Sequence, residues 1–120
     1  MSEQVAWCVE LAIMPDQLDS FVKLTAEMVE ETANEPGVLT YQRFINNDGA
    51  IVHAIERYES SEAAVRHLHN FRQRFAERFS STVTRRRFTV YGMPSAELKA
   101  VLDGFGATYF SPLDDLANRS

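Results

Sequence analysis

Residues 38–45 (VLTYQRFI) and 50–59 (AIVHAIERYE) flank the stretch Asn46-Asn47-Asp48-Gly49. Both flanks are rich in β-branched and aromatic residues, and Asn, Asp and Gly tolerate the positive φ that a tight reversal requires. The segment predicts a β-hairpin. A hairpin is marginal alone in water, so it needs further strands and a packed layer.

The rest of the chain supplies both. In residues 5–13 (VAWCVELAI), Val5, Trp7, Val9, Leu11 and Ile13 alternate and predict a first strand with one strongly apolar face. A helix follows, with Asp16 as its expected N-cap and Leu18, Phe21, Val22, Thr25, Met28, Val29 and Thr32 at helical spacing. Pro36 and Gly37 end it near Asn34. After the hairpin, Ser60 or Ser61 caps a second helix with a stripe of Ala64, Val65, Leu68, Phe71, Phe75 and Phe79, in which Asn70 is a candidate bend. Residues 84–92 (TRRRFTVYG) predict a fourth strand, across which Arg85, Arg86 and Arg87 alternate. A short helix from Ser95, a Gly-rich turn and a strand at 107–110 complete the chain.

The order β-α-β-β-α-β is the split βαβ, ferredoxin-like plan: an α+β domain with a four-stranded antiparallel sheet and two helices on one face. Residues 1–94 form that domain, and 95–120 are an extension expected to dock on a partner subunit. The second sheet face also needs cover, which a homodimer with stacked sheets would supply.

At 120 residues the chain makes one domain with one modest core. Its net charge of −5 disfavours a nucleic-acid partner. A single cysteine, Cys8, allows no internal disulfide and fits a reducing cytoplasm. No signal peptide and no membrane-spanning apolar run is expected.

All three histidines fall between residues 53 and 69, which raises a metal site. Geometry argues against it: His67 and His69 lie about 200° apart on a helix, whereas helical metal pairs use spacings of three or four. His67 shares a helix face with Ala64 and Phe71 and can serve as a proton acceptor near neutral pH or as a satisfied core histidine. His53 lies on the strand face of Ile51 and Ile55. It reaches the pocket floor if that face meets the helices, and an interface if it meets a partner sheet. Glu56 and Tyr58 take the opposite face, where Glu56 is a base or, more simply, the partner of Arg43, Arg86 or Arg87. Trp7, Tyr41, Phe71, Phe75 and Phe79 are core aromatics that could also wall a cavity.

The segment 35–71 resembles the antibiotic biosynthesis monooxygenase family. The resemblance is carried by Pro36-Gly37 at a strand start, the polar hairpin at 46–49, Glu56 and Tyr58, the Ser60-Ser61 cap and His67. It implies a dimeric ferredoxin-like α+β barrel with a pocket between sheet and helices in each subunit. Some relatives oxygenate quinols or polycyclic phenols with O2, using no metal or flavin. That activity would make His67 the base, Tyr41 or Tyr58 hydrogen-bond donors, and Trp7, His53, Phe71 and Phe75 the substrate contacts, with no cofactor. Two other readings share the fold: a non-enzymatic ligand-binding or regulatory dimer, and haem degradation. Haem-degrading relatives place a Trp and a His ligand where this chain has His67 and Glu77, which weighs against the last.

Overall fold

The structure, a computed structural model, describes residues 3–118. Strands β1 (Val5–Ile13), β2 (Val38–Ile45), β3 (Ile51–Tyr58), β4 (Val83–Gly92) and β5 (Thr108–Phe110) form one sheet in the order β2-β3-β1-β4-β5. The helices are α1 (Leu18–Thr32), α2 (Ser61–Arg74), α3 (Ala76–Ser80) and α4 (Ala96–Asp103). The first four strands are antiparallel, as the hairpin and crossovers require. The expected antiparallel sheet is mixed at one edge, because β5 joins β4 in parallel.

The hairpin closes through its own side chain: Asn46 Oδ1 accepts from the backbone N–H of Ala50 and Ile51, both at 3.0 Å. One sheet face is the core. It carries Val5, Trp7, Val9 and Leu11 of β1, Val52, Ala54 and Tyr58 of β3, and Phe88 and Val90 of β4, all buried. The helices close over this face with Phe21, Leu24 and Met28 from α1, Ala63, Ala64 and Leu68 from α2, and Leu98 and Leu102 from α4. At roughly 25 cal/mol per Å² of apolar surface, this layer is the main stabilising term. The tail beyond residue 94 thus contributes to the domain's own core, whereas Leu113 and Leu116 stay exposed.

Several local expectations are corrected. Asp16 does not cap α1: it takes a left-handed turn at φ 64, and Gln17 occupies the cap without a side-chain bond. The buried stripe of α1 is Phe21, Leu24, Met28 and Thr32, which leaves Leu18, Val22 and Val29 exposed. Helix α2 runs through Asn70, and the break comes at Phe75, whose φ of −128 separates α2 from α3. Ser60 is the α2 cap, accepting from Ala63 N–H at 3.2 Å, a bond worth about 1 kcal/mol.

The three arginines of β4 do not simply alternate. The register slips against β1, so that Glu10 faces Arg87 but Leu11 faces Arg85. One residue is extra on β4, which is a β-bulge. Strand partners share a face, so Arg85 joins Leu11 on the helix side, while Arg87 joins Glu10 on the outer side. Arg86 also reaches the outer side, with Nε 3.9 Å from Glu10 Oε2.

Candidate functional site

The site grows from the two strands of the hairpin. Alternation turns Tyr41 and Arg43 of β2 and Glu56 and Tyr58 of β3 toward the helices, and Trp7 of β1 stands opposite Glu56. Helix α2 lays His67 above them. Glu56 is 5% exposed, so its charge needs compensation on every side. It receives it: Glu56 Oε2 accepts from Arg43 Nη2 at 2.7 Å. Its Oε1 accepts from the Tyr58 hydroxyl at 2.5 Å and the Trp7 indole N–H at 3.0 Å.

The electrostatics follow from those contacts. Burial alone would push the Glu56 carboxyl up, but Arg43, His67 and the bonds from Tyr58 and Arg43 outweigh it and hold it below the usual carboxylate range. The Tyr58 phenol is raised well above its ordinary value, by burial first and by Glu56 second. Burial and Glu56 also raise Tyr41. Both phenols therefore stay protonated donors at neutral pH. The Arg43 guanidinium also stacks on the Tyr41 ring, 3.5 Å from its centroid.

Glu56 is thus a fixed anion whose oxygens are already occupied by donors, and this makes it a poor base. His67 differs. It is 4% exposed, and its Nδ1 lies 2.8 Å from Glu35 Oε1. A carboxylate only accepts, so Nδ1 carries the hydrogen. The other nitrogen, Nε2, stands 3.7 Å from Glu56 Oε1, beyond hydrogen-bond reach. The result is an imidazole oriented by one carboxylate, with its second nitrogen unbonded among the described residues.

These groups line a cavity of about 40 Å³ between sheet and helices, room for about three water molecules. Trp7, Tyr41, Arg43, Glu56, His67 and Phe71 all border it. Tyr58 stands behind Glu56 and does not border the cavity. The far wall is aromatic: Phe71 meets Phe79 edge-on at 5.1 Å, and Phe88 stacks on Phe105 at 5.6 Å.

The structure does not bring the other two expected contacts to this cavity. His53 lies on the outer sheet face, its side chain 51% exposed, with Nε2 3.1 Å from Glu10 Oε1. That face is opposite Glu56, and the helices cover the Glu56 side. Phe75 borders a separate surface groove with Glu27, Glu31 and Arg74. His69 is exposed and meets Gln73 at 3.1 Å. No group of three or more metal-ligating side chains occurs among the described residues.

Glu35, Arg85 and Phe105 are site residues that pattern reading passed over. Glu35 had a faint signal, as an acid placed between a helix end and Pro36-Gly37. Arg85 was concealed by the bulge.

The family model described as antibiotic biosynthesis monooxygenase matches residues 5–79. No curated protein matches the chain. Among solved structures, MupZ from Pseudomonas fluorescens is 22% identical, covering 96% of this chain and 94% of that one with a TM-score of 0.80. Rv0793 from Mycobacterium tuberculosis is 24% identical over 94% of this chain and 98% of that one, with a TM-score of 0.59. SnoaB from Streptomyces nogalater, described as a cofactor-independent oxygenase, is 14% identical over 79% and 97%, with a TM-score of 0.67. At these identities the likeness is one of fold.

Proposed function

Since the chain belongs to the antibiotic biosynthesis monooxygenase family, which its residues 5–79 match, we propose that it oxygenates a quinol or phenolic substrate with O2, using His67 as the base. The observation that carries this reading is the part-buried Glu35–His67 pair at 2.8 Å, with Nε2 of the imidazole unbonded among the described residues beside an aromatic-walled cavity.

The chemistry asks little of the protein. A phenol or anthrone that gives up a proton becomes an electron-rich anion able to pass an electron to O2. Radical recombination forms a C–O bond, and loss of water leaves the carbonyl product. One oxygen atom enters the product and the other leaves as water, with all four electrons drawn from the substrate. His67 Nε2 takes the proton and Glu35 steadies the imidazolium. Tyr41, kept protonated, donates to the developing oxyanion. Tyr58 acts indirectly, by holding Glu56 in place. Trp7 and Phe71 wall the ring and exclude water. Because the cavity is small, a ring enters only if Phe71, Phe79 or Phe105 swings aside, which favours one or two rings over an extended polycycle.

A homodimer fits this reading. The outer sheet face exposes Phe44, Tyr91 and Phe110, and the exposed Leu113 and Leu116 would dock on the partner. No helix among the described residues is long and apolar enough to cross a membrane, and the free thiol of Cys8 suits a cytoplasmic setting. The tightness of the cavity gives some support to the second reading, binding of a small ligand without turnover.

The test is O2 uptake over a panel of hydroquinones. The native protein should consume O2 with at least one of them, and His67→Gln should reduce kcat/KM about a hundredfold. Turnover unchanged in H67Q would remove His67 from the reaction, and binding without uptake would establish the ligand-binding reading.

A further inference from the structure

Three formally charged groups border the cavity: Arg43, Glu56 and Arg85. Arg43 and Glu56 neutralise each other at 2.7 Å. Arg85 has no carboxylate and no hydrogen-bond acceptor among the described residues; its guanidinium instead lies over the Phe105 ring at 4.6 Å and near Phe79 at 6.0 Å. The cavity wall therefore carries one positive charge with no acidic partner among the described residues, in a chain whose net charge is −5. Arg85 is exposed at the edge of the cavity, within reach of an incoming anion, and the partial burial of its guanidinium against these rings weakens its hold on its proton.

Its position is also informative. Glu56 pairs with Trp7, and Arg85 pairs with Leu11. The two residues flank β1 on opposite sides, about 10 Å apart across the sheet and about 13 Å along it, so their Cα atoms stand about 16 Å apart. Trp7, Val9 and Leu11 pave the floor between them. Once Phe71, Phe79 or Phe105 swings aside, the cavity opens into a diagonal trough with a proton acceptor toward one end and a cation toward the other. The β4 bulge is what turns Arg85 inward: without the extra residue the strand would present a different arginine to the trough.

We infer that the substrate is an aromatic hydroxy acid, whose carboxylate is held by Arg85 at the trough mouth while its ionisable hydroxyl faces His67. A guanidinium binds a carboxylate through two parallel hydrogen bonds, which fixes the ring's direction as well as its affinity. Arg85 is on this account a specificity-determining residue. The inference rests on the oxygenase reading for what happens at the His67 end, but not for binding.

Calorimetric titration with 6-hydroxy-2-naphthoate and 2-naphthol separates the two questions. The native protein should bind the acid about tenfold or more tightly than the neutral phenol. Arg85→Gln should bind both alike, Arg85→Lys should keep part of the preference, and Arg87→Gln, on the outer face, should match the native protein. Equal binding by the native protein, a preference that survives in R85Q, or binding of neither compound would overturn the inference. An acid preference with no O2 uptake from 1,4-dihydroxy-2-naphthoate would count against the oxygenase reading and leave Arg85 in its role. Equal kcat/KM for that acid and for 1,4-dihydroxynaphthalene would do the reverse.

Discussion

Glu35 and His67 meet at 2.8 Å between Oε1 and Nδ1, although one follows α1 and the other lies in the middle of α2. The contact is part-buried, with side chains 14% and 5% exposed, so water competes little for either group. A carboxylate on Nδ1 leaves Nε2 as the basic nitrogen and stabilises the cation that forms when it takes a proton.

Replacing Glu35 tests that relationship. Glu35→Gln should cut kcat/KM for quinol oxidation about tenfold or more, a cost of about 1.4 kcal/mol in the transition state. Glu35→Leu should cut it further, since no acceptor remains for Nδ1–H. A purely structural role would leave the imidazole tautomer alone. The tautomer is therefore the second readout: 15N spectra of the His67 ring should show the hydrogen on Nδ1 in the native protein and its loss from Nδ1 in E35L. An unchanged tautomer in E35L would refute the assignment of Glu35 as the positioning residue.

The pair Arg43–Glu56 makes a different prediction, about stability. Removing one partner of a buried ion pair leaves an uncompensated charge, at a cost of about 3–5 kcal/mol. Arg43→Met should therefore be strongly destabilising, and Arg43→Met with Glu56→Gln should cost clearly less than the two single changes added together. The pH dependence has a definite sign. The Glu56 carboxyl is lowered in the folded protein, so its contribution is fully present above the unfolded value of about 4.3 and is lost as pH falls through the lower folded value. Urea unfolding of the native protein and R43M should give a wide gap near pH 7 that narrows below about pH 4. A gap that is constant with pH would show that Arg43 acts by packing alone.

Much of this arrangement could be read in the residues, for identifiable reasons. Alternation and the Asn46–Gly49 turn are local signals, and they specify the strands and their antiparallel pairing. Opposing Glu56 and Tyr58 to His53 follows from the period of two; which face meets the helices does not, because Ile51 and Ile55 make the outer face nearly as apolar as the inner one. The bulge in β4 was hidden because the extra residue lies among three identical arginines, so the pattern carries no mark of it. The exposed face of α1 misled for a related reason: Leu18, Val22 and Val29 widen the apolar stripe, and spacing alone cannot say which edge of a wide stripe is covered. Glu35 belongs to no periodic pattern. Its role depends on how closely the chain after α1 approaches α2, and that is set by Gly37.

Gly37 gives the last prediction. It has φ +85, and a Cβ placed on it would stand 2.7 Å from Ala63 Cβ and 2.9 Å from Glu59 Oε1. Its carbonyl also accepts from Glu59 N–H at 2.9 Å. The backbone here is pressed against the first turn of α2, two residues from Glu35, so the close approach that only glycine permits also brings Glu35 to His67. Gly37→Ala should cost about 1–3 kcal/mol through the positive φ and the clash, lowering Tm by several degrees. It should also lower kcat/KM at a temperature where the variant is fully folded, since the strand start must move away from α2. The Glu59 side chain can turn aside, but Ala63 Cβ cannot. Ala63→Gly therefore separates the two causes: G37A should cost less in the A63G background than in the native one, by the part due to the Cβ–Cβ clash, while the part due to φ remains. Equal costs in both backgrounds would assign the whole effect to backbone strain and remove close packing against α2 as the reason for a glycine at this position.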